Sequence, residues 1–378
     1  VADIIHVTKE YTLEKNAYDI KTRISLQNIT GEPLEVKTLA LKWCSNLEKI
    51  EDPNDSADLT TGVSYSGEKV SDMDSNDLEK GKDGDIQNAG NVTWIALRNK
   101  YFAAAMVPEQ NASAEFTRKK APVTNKISMG LRYSSLKIEK GATASVSARI
   151  YAGPLSLEEL RNSGSRLEKV MDFGFFNWLG LWLLVILKFI YNLTHNYGLA
   201  IIIFAVFIKI VFWWPSAISY KSMKRMQNIQ PKISAIREEF KSDMQQMNQK
   251  IMEVYKKEKV NPFGGCLPML IQIPIFYALY QLFSNAIELK GAAFGYWITD
   301  LSQKDPYYIF PILMLVTMVI QQLMTPASDP KQAKIMLAVT VIISLMFMNL
   351  SSGLILYWVM QNILSIAQQY YVNKTYKA

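Results

Sequence analysis

Lys209 sits inside the otherwise apolar run Ile201–Trp214, about five residues before Trp214. At ~1.5 Å per residue it lies several ångströms inside that run. Its amine either snorkels to a nearby aqueous boundary or faces a wet, protein-lined space where it attracts anions. Other polar residues interrupt apolar runs in the same half of the chain: Gln272 within Cys266–Ile287, and Tyr357, Gln361 and Asn362 within Gly353–Tyr371. Hydrocarbon offers such groups no partners. One interhelical hydrogen bond accounts for Gln272 or Gln361 taken alone. Convergence of all of them on Lys209 makes a polar cavity, and its chemistry is attraction and hydrogen bonding.

Bond-making chemistry has little support. In the apolar half no histidine accompanies a serine or cysteine as a nucleophile's base. Ser351-Ser352-Gly353 has the outline of a short nucleophile motif but reads better as a Gly-Ser turn. No Gly-x-x-x-x-Gly-Lys phosphate loop occurs. His6 and His195 lie far apart with no ligand-spaced neighbours, so no metal and no cofactor is expected. Cys44 and Cys266 fall in different halves and imply no disulfide framework.

The elements that must position these residues are membrane spans. A spanning helix needs about 20 apolar residues. Candidates are Tyr197–Trp214, Cys266–Ile287, Tyr308–Thr325, Ile335–Leu350 and Gly353–Tyr371, preceded by the apolar stretch Phe175–Leu193. Charge orients them. The segment Ala217–Pro262 carries 10 Lys or Arg against 5 acids, Asp329–Lys334 adds Lys331 and Lys334, and the C-terminus adds Lys374 and Lys377. The alternate loop Glu288–Pro306 carries only Lys290 and Lys304. The basic loops are therefore expected in the cytoplasm. Counted from that side, Gln272 should lie near the level of Lys209.

Parity then makes Phe175–Leu193 decisive. If it spans, everything before it is cytoplasmic; if it lies flat, that part is outside. Lys188 within it, Trp178, Trp182 and its polar end Tyr191–His195 favour an interfacial helix. The chain starts at Val1 rather than Met, so a signal peptide or a transmembrane helix is expected ahead of it.

Residues 1–155 read as a β-rich domain. Tyr18, Ile20, Thr22, Ile24 and Leu26 alternate with polar neighbours, as do Ala142, Val146, Ala148 and Ile150, and Val92–Leu97 is a further strand. Glu51–Gly90, rich in Asp, Ser, Gly and Lys, is expected to be mostly loop. Short strands so punctuated suggest a β-sandwich, a scaffold or docking domain before a binder of sugar or peptide.

The basic segment 219–260 reads as a helical hairpin. Met226, Ile229, Ile233, Ile236 and Phe240 keep 3-4 spacing, and so do Met244, Met247, Ile251 and Val254. Ser242 and Asp243 can cap the second helix, and a break is expected at Pro231. The pair makes a small antiparallel coiled coil, either a structural stalk or a dock for a ribosome or targeting receptor.

The run Lys256-Lys257-Glu258-Lys259-Val260-Asn261-Pro262-Phe263-Gly264-Gly265-Cys266-Leu267-Pro268 resembles the hairpin-to-membrane junction of YidC-type insertases, and Leu270–Phe276 continues the match. Trp297–Ser302 with Asp305–Ile309 is similar to that family's outer loop, and Ser352–Trp358 to its last helix. The resemblance covers about Asp172 to the C-terminus. It implies an outer β-sandwich (1–155), a linker with an interfacial helix (156–195), and an all-α membrane core (196–378) of five transmembrane helices around a hydrophilic groove open to the cytoplasm. It places Lys209, Gln272, Tyr357, Trp358, Gln361 and Asn362 in the groove, and Ile273, Pro274 and Phe276 on a lipid-facing slide. Most bacterial members carry Arg where this chain has Lys209, so the charge is kept and the bidentate geometry is not.

The function so implied is insertion and chaperoning of nascent membrane proteins in a bacterial inner membrane, alone or with the Sec translocase and without covalent catalysis. The competing reading is a transporter or channel with Lys209 as its ion site. Against it, no internal repeat or paired broken helices are visible.

Overall fold

The computed structural model describes residues 4–15, 17–44, 60–73, 85–119, 126–258, 260–261, 267–324 and 330–375. Lys259 and residues 262–266 of the junction motif, residues 325–329, and Lys377 lie outside the described set. The chain forms two compact units, Val1–Asp172 and Phe173–Ala378.

The first unit is built from antiparallel strands. One sheet has the order β1-β2-β11-β8-β7-β4-β5 and the other β3-β10-β9-β6. The strands are β1 Ile5–Leu13, β2 Asp19–Asn28, β3 Leu34–Cys44, β4 Thr61–Ser66, β5 Lys69–Met73, β6 Asp85–Asn91, β7 Trp94–Arg98, β8 Phe102–Pro108, β9 Ser113–Lys119, β10 Lys126–Ile138 and β11 Thr143–Pro154. The alternation of β2 has the expected consequence. Thr22, Ile24, Leu26 and Asn28 point inward, and Ile24 lies opposite Val146 of β11. The two sheets share one core, to which Ile24, Ile95 and Met106 contribute from one side and Phe116, Met129 and Leu131 from the other.

β4, β5 and β6 fall within the stretch expected to be loop. They are short and polar, so local composition hides them. Pairing of Gly62 with both Leu97 and Met73 creates the strand, because tertiary context outweighs local β-propensity. Gly62 is needed there, since a Cβ would come within 2.9 Å of the Phe116 ring.

The first unit continues past the last strand. Helix α1, Leu157–Ser163, and a 3-10 turn at Leu167–Val170 bury Leu157, Leu160, Leu167 and Val170. Arg98 of β7 fixes this tail. It donates to the Val170 carbonyl and pairs with Asp72 at 2.9 Å and Asp172 at 3.3 Å.

The second unit is helical: α2 Asn177–Thr194, α3 Tyr197–Val211, α4 Trp213–Glu239, α5 Met244–Lys257, α6 Leu267–Asn285, α7 Ile309–Met324, α8 Pro330–Met346 and α9 Ser352–Thr375. Among the described residues one helix is long and apolar enough by itself to cross a membrane, Gly174–Thr194, which is α2 with its leading turn. α3 and α4 pass the same test together but are bent by 64° at their junction. α7 and Lys334–Asn349 are shorter apolar helices.

The break in this region comes at Phe212 rather than at Pro231. Pro215, in the first turn of α4, has no N–H to return to Val211, so the α3 ladder cannot run on. Pro231 is carried inside α4. It removes one donor, while Ile229 and Ile233 on either side are buried against Val260 and the α5 residues Ile251 and Val254. Asp243 caps α5, accepting from the backbone N–H groups of Gln245 and Gln246 at 3.0 and 2.9 Å.

Candidate functional site

The polar side chains of α9 determine how the helices around Lys209 are assembled. Gln361 donates to the Ala205 carbonyl at 2.8 Å, Ser365 accepts from Lys209 at 2.8 Å, and Gln368 donates to the Trp213 carbonyl at 2.8 Å. The sequence separations are 156, 156 and 155 residues. A constant separation over two turns means that α3 and α9 run parallel and in register. Asn362 donates to the Thr317 hydroxyl and Gln369 to the Met324 carbonyl, both separated by 45 residues, so α7 runs the same way. α9 therefore carries two polar edges, Gln361/Ser365/Gln368 towards α3 and Asn362/Gln369 towards α7. Each edge keeps helical spacing.

Lys209 is buried, with 7% of its surface exposed. Its ammonium donates to the Ser365 hydroxyl and lies 6.0 Å from the centre of the Tyr220 ring, at the outer limit of a cation–π contact. The Tyr220 hydroxyl lies beside the same serine. Among the described residues no carboxylate pairs with Lys209. A buried ammonium held only by neutral groups leaves most of its charge uncompensated.

Gln361 sits one turn from Ser365, and Tyr357 one turn further. Among the described residues the buried Tyr357 hydroxyl makes no hydrogen bond, and Gln272 and Gln361 are the polar side chains beside it. Its ring lies between Phe204 and Phe283, at 6.1 and 6.2 Å. Gln272 is thus displaced along the bundle from Lys209 by about two turns, roughly 12 Å, with Gln361 between them. Lys209, Gln361, Tyr357 and Gln272 form one polar row. Asn362 faces α7, away from that row.

Trp358 belongs to an aromatic group instead. It meets Phe276 edge-on at 4.7 Å and Phe347 at 5.2 Å. Ile273 on the same helix as Phe276 is 54% exposed, and Pro274 stands inside α6 beside it.

Ser365, Tyr220, Thr317, Gln368 and Gln369 escape a reading of the sequence, although they complete the site. The recurrence of Gln361, Ser365 and Gln368 at helical spacing was the available signal. A serine and an end-of-helix glutamine pair look ordinary until the partner helix is known.

The opposite end of the bundle is closed by the loop before α7. The N-terminal donors of α9 are taken by that loop: Ser352 N–H by the Gln303 carbonyl at 2.7 Å, and Gly353 N–H by that of Leu301 at 2.9 Å. Asp305 caps α7, accepting from Phe310 N–H at 2.7 Å. Glu288, in the same loop region, lies 3.7 Å from Lys188 of α2.

Two family models match the chain, the YidC periplasmic domain over residues 2–186 and the 60Kd inner membrane protein family over residues 189–378. A membrane protein insertase YidC of Geotalea daltonii is 43% identical over 98% of this chain and 69% of its own length. One of Syntrophus aciditrophicus is 44% identical over 98% of this chain and 67% of its own length. These alignments run through both units. The sheet-rich first unit and the helical second unit match the two families in the same order. The chain belongs to the YidC family of membrane protein insertases.

Proposed function

We propose that this chain inserts and chaperones nascent membrane proteins in a bacterial inner membrane, using the polar row of α3, α6 and α9 as a wet groove open to the cytoplasm. The observation that carries the reading is the buried Lys209 ammonium, whose partners among the described residues are neutral. A client hairpin must move a polar tail through hydrocarbon, and a polar lining lowers the desolvation cost of that path. Lys209 attracts acidic groups in the tail, strongly because the surroundings are poorly screening. The client's apolar segment leaves along Ile273, Pro274 and Phe276 into lipid, and its burial there drives release without a nucleotide.

The common direction of α3, α7 and α9 supports a five-span core of α3, α6, α7, α8 and α9 with alternating orientation. The exposed stripe Trp178, Trp182 and Phe189 on α2, continued by Phe175 in its leading turn, supports an interfacial helix and, with it, a periplasmic first unit. In this reading the periplasmic sandwich is 1–155, the linker and interfacial helix 156–195 and the core 196–378. The α4–α5 hairpin stays cytoplasmic, where its basic faces suit a ribosome or targeting receptor. The Sec translocase is the partner for clients too large to insert unaided.

The test is insertion of a small, acidic-tailed client into liposomes holding only this chain, read by protease protection of the translocated tail. Protection is expected with the parent chain, at least about tenfold less with Lys209→Ala, and less still with Lys209→Glu. Normal insertion by Lys209→Glu would sink the electrostatic step.

A further inference from the structure

Among the described residues Lys209 has one direct hydrogen-bond partner, Ser365, and that partner is held in place from both sides. Gln361 and Gln368 tie α9 to the Ala205 and Trp213 carbonyls, one turn before and one turn after Ser365. Ser365 therefore cannot slide along α3. Tyr220 approaches the same hydroxyl from α4, beyond the bend, and turns its ring towards the ammonium. The serine offers Lys209 one neutral acceptor at 2.8 Å, while an ammonium has three donors.

We propose that Ser365, braced by Tyr220, is a positioning residue that holds the Lys209 ammonium as a neutral latch, so that only a client tail bearing a carboxylate releases it with a gain. The proposal rests on the insertase reading and assigns Ser365 a part in the selectivity for acidic tails.

A client hydroxyl or amide offers Lys209 what Ser365 already supplies, so the exchange returns nothing for the cost of ordering the tail. A carboxylate replaces a neutral acceptor with a charge-assisted one, roughly twice as strong, and compensates a charge that the described residues leave unpaired. A resident carboxylate would end this difference by occupying the ammonium permanently. A serine is small enough to swing aside, and its loss of contact is a single neutral hydrogen bond set against the incoming ion pair.

The experiment compares two clients in liposomes containing the full chain. They are identical except that tail Asp and Glu are replaced by Asn and Gln in the second. The readout is the ratio of acidic-tail to neutral-tail insertion for the parent, Ser365→Asp and Ser365→Asn. The parent is expected to prefer the acidic tail. Ser365→Asp is expected to lower that ratio about tenfold, because its carboxylate takes the place reserved for the client. Ser365→Asn adds the same bulk without charge and still accepts from Lys209. Its total insertion falls, but its preference for the acidic tail stays within about twofold of the parent's ratio. An unchanged ratio in Ser365→Asp overturns the latch, and so does an equal collapse in Ser365→Asn, which would make the effect one of packing. If the parent inserts neither client, the insertase reading fails and the latch with it. A parent that inserts both clients equally keeps the insertase reading and overturns the latch, and with it the attraction of acidic tails by Lys209.

Discussion

Glu288 shows how the charge of a single side chain can be set against its surroundings. Its side chain is 7% exposed, and Lys188 stands at 3.7 Å. Burial pushes its carboxyl above the ordinary value of 4.5, and its own backbone N–H and Lys188 pull less strongly the other way. In the unfolded chain the group titrates near that ordinary value. Between the two values the folded protein holds a proton that the unfolded chain does not. Stability therefore falls as pH rises through this window, and the penalty is complete above the raised value. Glutamine at position 288 keeps a neutral acceptor beside Lys188. Glu288→Gln is expected to be about 1 kcal/mol more stable than the parent at neutral pH and to lose the gain in stability on acidification. Thermal unfolding in detergent micelles between about pH 5 and 7.5 checks both points. A less stable variant with the parent's pH slope would mean that the Lys188–Glu288 pair is net stabilising.

At the scale of elements, the contact between α9 and the loop before α7 depends on having no side chain at Gly353. A Cβ there would lie 3.2 Å from the Leu301 carbonyl oxygen and 3.3 Å from Ile201 of α3. The Leu301 carbonyl is also the acceptor of Gly353 N–H, so backbone would have to yield on both counts. Gly353→Ala is expected to cost about 1–3 kcal/mol despite the better helix propensity of alanine. It should also raise amide exchange at Ser352 and Gly353. Unaltered exchange there would show that the loop gives way freely. Spacing in the sequence makes such helices legible but not their joints. The apolar runs locate α3, α6, α7 and α9 to within a few residues, because composition over a turn or more determines burial. The bend at Phe212 depends on which carbonyls Pro215 leaves unserved and on Gln368 from a helix about 150 residues away, and no local pattern contains that. For the same reason Lys209 and Gln361 stand out as polar residues in apolar surroundings, whereas Ser365 and Tyr220 acquire meaning only when α9 is laid beside α3. β4 to β6 escape for the parallel reason that their pairing partners, not their own residues, make them strands.

Across the whole molecule, the chain divides into two compact units, Val1–Asp172 and Phe173–Ala378, and this division predicts separate unfolding. In the first unit Glu115 is 4% exposed in its side chain and pairs with Lys42 at 2.7 Å and Arg132 at 3.1 Å. Burial alone would raise its carboxyl, but the hydrogen bonds and charges of Lys42 and Arg132 outweigh it and hold the group below 4.5. The stability this pairing contributes is present above the unfolded value and is lost as pH falls through the lowered one. That is the opposite sense to Glu288. Glu115→Gln leaves both cations able to reach water, so its cost is expected to be about 1–2 kcal/mol rather than that of a fully buried orphaned charge. Scanning calorimetry of the full chain in micelles at one scan rate should resolve two transitions. Glu115→Gln should lower one of them and leave the other in place, and Glu288→Gln should move only the second. Acidification below about pH 4.5 should weaken the first transition through Glu115, while the second has already gained from protonation of Glu288. A single transition that shifts with either substitution would mean that the sheets and helices unfold as one cooperative body, and the assignment of independent stability to each unit would fall.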